Sequence, residues 1–229
     1  MILRTHPISR QAFSLVEILV TVAILGVLTA LLVPQVKVQL ERAKAATCTS
    51  RLHQTGGLLQ AYAGDNNMRI SFMRDGKTSR MWYDELKKQG GLSDVEAQKT
   101  FGCPSLPWDT VWSWSCYGFR VGPVPPVTQD PGKRVSVDGT GYYEFSVAAV
   151  EKPAQFFVMA DTGNASNTQT FRIIPPRLYS NSGIKTRHQN RANVLFLDGH
   201  VEALDAKSLG GLGITEVLDA EGKTTPTGS

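Results

Sequence analysis

The chain has 229 residues, 41% of them hydrophobic and 19% charged, with a formal net charge of +4. This fits one head of ordinary domain size plus an appendage and excludes a disordered chain. Removing Arg4 and Arg10, the two charges ahead of the first hydrophobic run, takes the charge from +4 to +2; no dense Lys/Arg cluster lies elsewhere, so a nucleic-acid surface is not expected.

Met1 to Ala12 is polar and basic, and Phe13 to Val33 is then almost uninterruptedly apolar. As a helix rising about 1.5 Å per residue, that run spans roughly 30 Å, the hydrocarbon thickness of a bilayer. Arg4 and Arg10 on its flank keep the leader cytoplasmic and send the rest outward. A secretory signal peptide fits poorly, because the run is longer than an h-region and contains a carboxylate; a plain signal anchor is the remaining alternative. The carboxylate is Glu17, whose burial unpaired at bilayer depth costs about 2.5–3.5 kcal/mol or more. A cut between Ala12 and Phe13 would create an α-amine four residues before Glu17, on the same helix face. That amine can pair with Glu17 of its own chain or of a neighbour.

Pro34 lacks an N–H, so a kink or local melting is expected there. Helical spacing resumes with Val38, Ala45, Leu52, Leu59 and Tyr62 as an apolar stripe, ending near Gly64-Asp65-Asn66-Asn67. Trp82 to Gln89 and Ser93 to Lys99 read as short helices, Ser93 and Glu96 having the spacing of a capping box. Phe101 to Pro131 reads as a long loop with a short strand near Tyr117 to Val121, and Tyr142 to Val150 and Gln155 to Ala160 are β-prone. Asn193 to Leu197, Asp198-Gly199, then His200 to Leu204 predicts a hairpin with a two-residue type I′ turn, its first strand covered on both faces. The last dozen residues read as a frayed tail.

Ala12-Phe13-Ser14-Leu15-Val16-Glu17 followed by an apolar helix resembles the prepilin processing site of type IV pilins and type II secretion pseudopilins. The resemblance implies a membrane peptidase that cuts before Phe13 and methylates its amine, with Glu17 and Pro34 at the family's assembly positions. One departure is Ala12, where the family usually has Gly. A second resemblance covers residues 13 to about 205. His188, nine residues, then Asp198-Gly199 is similar to the H-x9-D-G signature of a large group of prepilin-type proteins. Further landmarks are Cys48-x-x-Arg51-Leu52-His53-Gln54, Tyr62-x-x-Asp65-Asn66, Cys103-Pro104-Ser105, Tyr117-Gly118, Pro153 and Met159-Ala160-Asp161.

The three cysteines permit one disulfide with a thiol left over. The landmarks favour Cys48 with Cys103, and Cys103 with Cys116 is the alternative. Asp161, His188, Asp198 and His200 offer weak candidate metal ligands, against which stands a structural reading: the turn explains Asp198-Gly199, and His188 fixes the start of a strand. Major pseudopilin heads bind calcium by resemblance, but no calcium loop is evident, and no cofactor is implied. No nucleophile elbow, phosphate loop or His-Glu-x-x-His occurs, and Asp84, Glu85, Asp94 and Glu96 read as solvated helix faces, so no enzyme activity is expected. Trp108, Trp112 and Trp114 suit either packing or a glycan- or partner-docking loop.

These readings give an α+β, pilin-like fold: a long N-terminal helix, its first half in the membrane, packed on a small antiparallel sheet. The expected divisions are a leader (1–12), a transmembrane and assembly helix (13–33), the outer half of the helix (34–64), a head (65–205) and a tail (206–229). The resemblance implies a filament subunit of the inner membrane with its head outside the cytoplasm. Its partners would be the prepilin peptidase, an inner-membrane assembly platform and other pilins. The rival is a membrane-tethered binding protein, with glycans as one candidate ligand class, that never polymerises; a tethered hydrolase using His188 and Asp198 is a third reading.

Overall fold

The computed structural model describes residues 14–74, 81–112, 114–122, 132–137 and 140–228. Two compact units divide the chain, residues 1–40 and 41–229, and helix α1 (Leu15–Asp65) has residues in both.

In the first unit α1 is apolar on every side. All the large apolar residues from Leu15 to Val33 are exposed, so this stretch is long and apolar enough to cross a membrane. Its polar side chains are arranged for such a setting. Thr21 Oγ1 donates to Ile18 O at 2.8 Å and Thr29 Oγ1 to Leu25 O at 2.7 Å, which spares both hydroxyls an unpaired state in lipid. Glu17 lies in the first turn, where the helix dipole favours a negative charge. The helix runs through Pro34 as one element, without the local melting the sequence allowed.

In the second unit the strands are β1 (Arg69–Arg74), β2 (Gly118–Arg120), β3 (Gly132–Val137), β4 (Thr140–Ser146), β5 (Phe157–Ala160), β6 (Thr162–Asn164), β7 (Arg172–Ile173), β8 (Ser182–Ile184), β9 (Arg191–Phe196), β10 (Val201–Asp205), β11 (Glu216–Leu218) and β12 (Thr224–Pro226). A five-stranded sheet of order β10-β9-β5-β2-β7 is antiparallel except for the β2–β7 pair. A second sheet, β1-β4-β3, is wholly antiparallel, and β6–β8 and β11–β12 form two small ribbons.

The buried positions of α1 are Cys48, Leu52, Thr55, Gly56, Leu59, Tyr62 and Ala63, spaced at three and four residues as a core-facing helix stripe requires. The stripe begins later than the sequence suggested, since Val38 is exposed. At Gly56 an added Cβ would lie 2.9 Å from Leu195 Cδ1, so the absent side chain lets α1 come close to β9. One core cluster joins this stripe to Met159 and Leu195, and to the aromatic residues Trp82, Tyr83 and Phe101. A second cluster contains Phe157, Ala160, Val194 and Phe196, together with Leu209, Ile214 and Val217. Strand β9 therefore contributes alternate residues to two cores and is covered on both faces, as its continuous apolar run predicted. In β5 a register shift between Phe157 and Met159 lets Val158 and Met159 both join the first cluster.

Helices α2 (Trp82–Gln89) and α3 (Asp94–Phe101) stand where the sequence placed them. The capping box forms: Ser93 N donates to Glu96 Oε2 at 2.8 Å, and Glu96 N to Ser93 Oγ at 3.4 Å. Two local expectations change. In the β9–β10 hairpin Phe196 N donates to His200 O at 2.9 Å, so three residues, 197–199, lie between the last hydrogen-bonded pair, with Gly199 N donating to Phe196 O at 3.0 Å and Val201 opposite Leu195. Only Gly199, at φ +94°, has left-handed backbone, whereas a type I′ turn needs two such residues. The expected frayed tail is instead folded. Strand β12 pairs with β11, and Leu218 and Thr227 are buried; just before this segment, Asp205 caps α4 (Ala206–Gly211) by accepting from Ser208 N at 2.8 Å.

Candidate functional site

Four segments of the second unit converge on one buried point. Cys48 comes from α1, Cys103 from the segment after α3, Asp161 from the residue after β5, and His188 from the turn before β9. One potential ligand atom from each lies within 4.8 Å of those of the other three. None is more than 4% exposed.

The backbone fixes each member. Asp161 N donates to Asn193 O at 2.9 Å while Asn193 N returns a bond of 2.9 Å to Asp161 Oδ2, extending the β5–β9 pairing into the site. Asn193 Nδ2 also donates to Asp161 Oδ2, at 3.2 Å. Cys103 N donates to Gln169 Oε1 at 2.9 Å. His188 opens a tight turn closed by reciprocal 3.0 Å bonds with Arg191. Its two central residues, Gln189 at φ +53° and Asn190 at φ +60°, are both left-handed. The type I′ geometry expected at Asp198-Gly199 occurs here, at the residues that aim His188 inward.

Within the cluster the Cys48 thiol donates to Asp161 Oδ1 at 3.2 Å and lies 3.2 Å from Tyr117 Oη. Cys103 Sγ is 3.3 Å from His188 Nε2, which is 3.5 Å from Asp161 Oδ2. Burial pushes the Asp161 carboxyl up to about 6, opposed by the positive surroundings of His188 and Arg187. Burial also drives the Cys48 thiol well up, reinforced by the neighbouring Cys103. For Cys103 burial acts in the same sense, but hydrogen bonds with Cys48 and His188 and the charge of Arg187 outweigh it and hold the thiol well below its ordinary value. His188 is pushed down by burial, yet its contacts with Cys103 and Asp161 prevail and raise it. Of the two thiols, Cys103 is therefore the one whose surroundings favour ionisation, and the thiolate is the form in which a cysteine attacks an electrophile or binds a metal.

The expectation of no enzyme activity is corrected here, because this cluster has the ligand-like geometry of a metal-binding or catalytic centre. The sequence reading put Cys48 and Cys103 in a possible disulfide and Asp161 and His188 among candidate metal ligands with Asp198 and His200, and so never joined these four. Among the described residues no disulfide joins the three cysteines. Cys48 and Cys103 are brought together without a bridge, and Cys116 is buried elsewhere with its thiol pushed well up by burial. Of the four weak metal candidates, Asp161 and His188 belong to the cluster. Asp198 and His200 instead form a part-exposed pair on the hairpin, 2.6 Å apart, with the His200 ring stacked on Phe196.

Ala12 and Phe13, the proposed cleavage site, lie outside the described residues, as does the Trp108 side chain. Trp112 is exposed, while Trp114 packs edge-on against Phe171 beside a pocket of about 140 Å³ that Arg172 and Tyr179 also line. Asp84, Asp94 and Glu96 are exposed, and Asp94 pairs with Lys87.

A family model described as the prokaryotic N-terminal methylation motif matches residues 9–33. No curated protein and no solved structure matches the chain. The motif and the long apolar helix together support a pilin-like, membrane-anchored protein.

Proposed function

We propose that the chain is a structural subunit of a filament of the type IV pilus or type II secretion pseudopilus kind. The methylation motif over residues 9–33 carries this reading. In it, a prepilin peptidase removes residues 1–12 and methylates Phe13, and the subunit waits in the inner membrane with its head outside the cytoplasm. An assembly platform then bundles its helix with those of other pilins. Bundling exchanges lipid contacts for helix packing, which suits a helix exposed and apolar all round. It also gives the Phe13 amine a Glu17 to pair with. The likeness of His188 and Asp198-Gly199 to the H-x9-D-G group of prepilin-type proteins agrees with this reading.

The test is the intact mass and N-terminal sequence of membrane-extracted protein made alongside its matching peptidase. The expected product starts at Phe13 and carries one added methyl. A product still starting at Met1 would remove the basis for the filament reading. The pocket beside Trp114 and the exposed Trp112 favour the tethered, glycan-directed binder as a second reading. Under that reading Trp114→Ala abolishes glycan retention, and the unprocessed chain is the active form.

A further inference from the structure

We infer that Cys48, Cys103, Asp161 and His188 form a binding site for a tetrahedral, thiolate-preferring divalent cation of the Zn2+ class. It ties the head-side part of α1 to three separate segments of the head.

The donor set is the first argument. Two sulfurs, an imidazole nitrogen and a carboxylate oxygen match a borderline-soft cation, whereas Ca2+ and Mg2+ take oxygen shells. Spacing is the second. A tetrahedral Zn2+ with bonds of about 2.3 Å to sulfur and 2.0–2.1 Å to nitrogen or oxygen holds its ligand atoms about 3.3–3.8 Å apart. Three of the separations are 3.2 Å (Cys48 Sγ to Asp161 Oδ1), 3.3 Å (Cys103 Sγ to His188 Nε2) and 3.5 Å (His188 Nε2 to Asp161 Oδ2, the other carboxylate oxygen), and with one ligand atom from each residue all lie within 4.8 Å of one another. Modest relaxation would accommodate the ion.

The surroundings are the third. Asn193 holds Asp161 by two bonds to Oδ2, and Tyr117 Oη can donate to Cys48 Sγ, the kind of outer contact that orients metal ligands. Two thiolates and a carboxylate around a divalent ion leave one excess negative charge. Arg187 acts electrostatically on Cys103 and Asp161, and its Nε and Nη1 are buried without hydrogen-bond partners among the described residues. It supplies the compensating cation. A shell of four protein ligands leaves no open position, so the ion's role here is to clamp the fold.

The clamp is independent of the filament reading and is tested without reference to processing. The full chain is extracted in detergent under reducing, chelator-free conditions, loaded with Zn2+ or Co2+ and desalted. Stoichiometric retained metal is expected, with the Co2+ form showing thiolate-to-cobalt charge transfer and tetrahedral ligand-field bands. Cys103→Ser and Asp161→Asn should lose the metal, and Cys116→Ala and His200→Ala should keep it. Tyr117→Phe, which preserves the core's shape, should bind about 10–100-fold more weakly. Should the ligand variants fail to fold, the Co2+ spectra of the wild type and Cys116→Ala still decide, because the charge-transfer band requires a coordinating cysteine. A folded wild type that retains no metal would overturn the inference. So would retention unchanged by Cys103→Ser, or isolation of the protein with Cys48 and Cys103 already bridged.

Discussion

Gly118 shows how little room surrounds the buried cluster. It follows Tyr117 and begins β2, which lies inside the five-stranded sheet. A Cβ built there would lie 2.2 Å from Thr162 Cγ2 and 2.9 Å from Ile173 Cγ1. Thr162 cannot easily turn aside, because its branched side chain is stiff and its hydroxyl donates to Thr170 O at 2.5 Å. Gly118→Ala should therefore destabilise the protein by about 1–3 kcal/mol through overpacking. Thermal unfolding of the detergent-extracted chain should show a melting point lower by roughly 2–4 °C per kcal/mol; an unchanged midpoint would mean that the strand shifts freely. The same crowding explains what residue-level reading could and could not find. Sequence patterns detect ligands a few positions apart, as in metal motifs on one helix or loop. Here Cys48 and Asp161 are 113 residues apart and Cys103 and His188 are 85 apart. Only strand pairing and helix packing bring them together. A signal was nevertheless present, because Cys48, Cys103, Tyr117, Asp161 and His188 are all among the landmark positions quoted for the second resemblance.

Elements were legible where a local rule decides them. The capping box fixes the start of α3, and the break after Asp65 ends α1. The β9–β10 hairpin was legible as an element but not in its turn. An Asp-Gly pair permits either a two-residue loop or a three-residue loop closed by a left-handed glycine, and the pairing of Leu195 with Val201 selects the latter. This assigns different weights to its two motif residues. Gly199→Ala forces an L side chain to φ +94°, a conformation such residues rarely adopt, at an expected cost of about 1–3 kcal/mol. Asp198→Ala removes a 3.1 Å bond from His200 N and a part-exposed contact with the His200 ring, and should cost under about 1 kcal/mol. Denaturant unfolding of the two variants should rank them in that order; the reverse ranking would give Asp198 a role beyond the turn. The folded C-terminal segment was missed for a related reason. Its Gly-rich, Thr-rich composition suggests a tail, and only the second core cluster, which takes in Leu209, Ile214 and Val217, shows what its few apolar residues are for.

At the scale of the molecule, the α+β pattern was legible because its strongest signals are long: the apolar run, the helical stripe after it, and the β-prone stretches of the second half. The sequence signals for what each unit does were unequal. Residues 1–40 bear theirs in contiguous chain, as a motif and a hydrophobic run, whereas residues 41–229 bear theirs in a constellation that exists only once folded. The two units can therefore be tested separately, and Glu17 is the residue that separates them. It is the one charge between Leu15 and Val33, so substituting Ala lowers the cost of placing this stretch in lipid. Membrane extraction of Glu17→Ala should match the wild type, and the metal content and melting of the head should also be unchanged. If the Phe13 amine of one subunit pairs with Glu17 of the next, removal of the carboxylate leaves that amine uncompensated inside a helix bundle. Co-expression with the assembly machinery, followed by shearing and sedimentation, should then recover at least about tenfold less mutant in filaments, the loss expected for breaking a buried pair. Normal incorporation of Glu17→Ala would reject the intermolecular pair and return Glu17 to an interfacial, solvent-reaching role within its own chain.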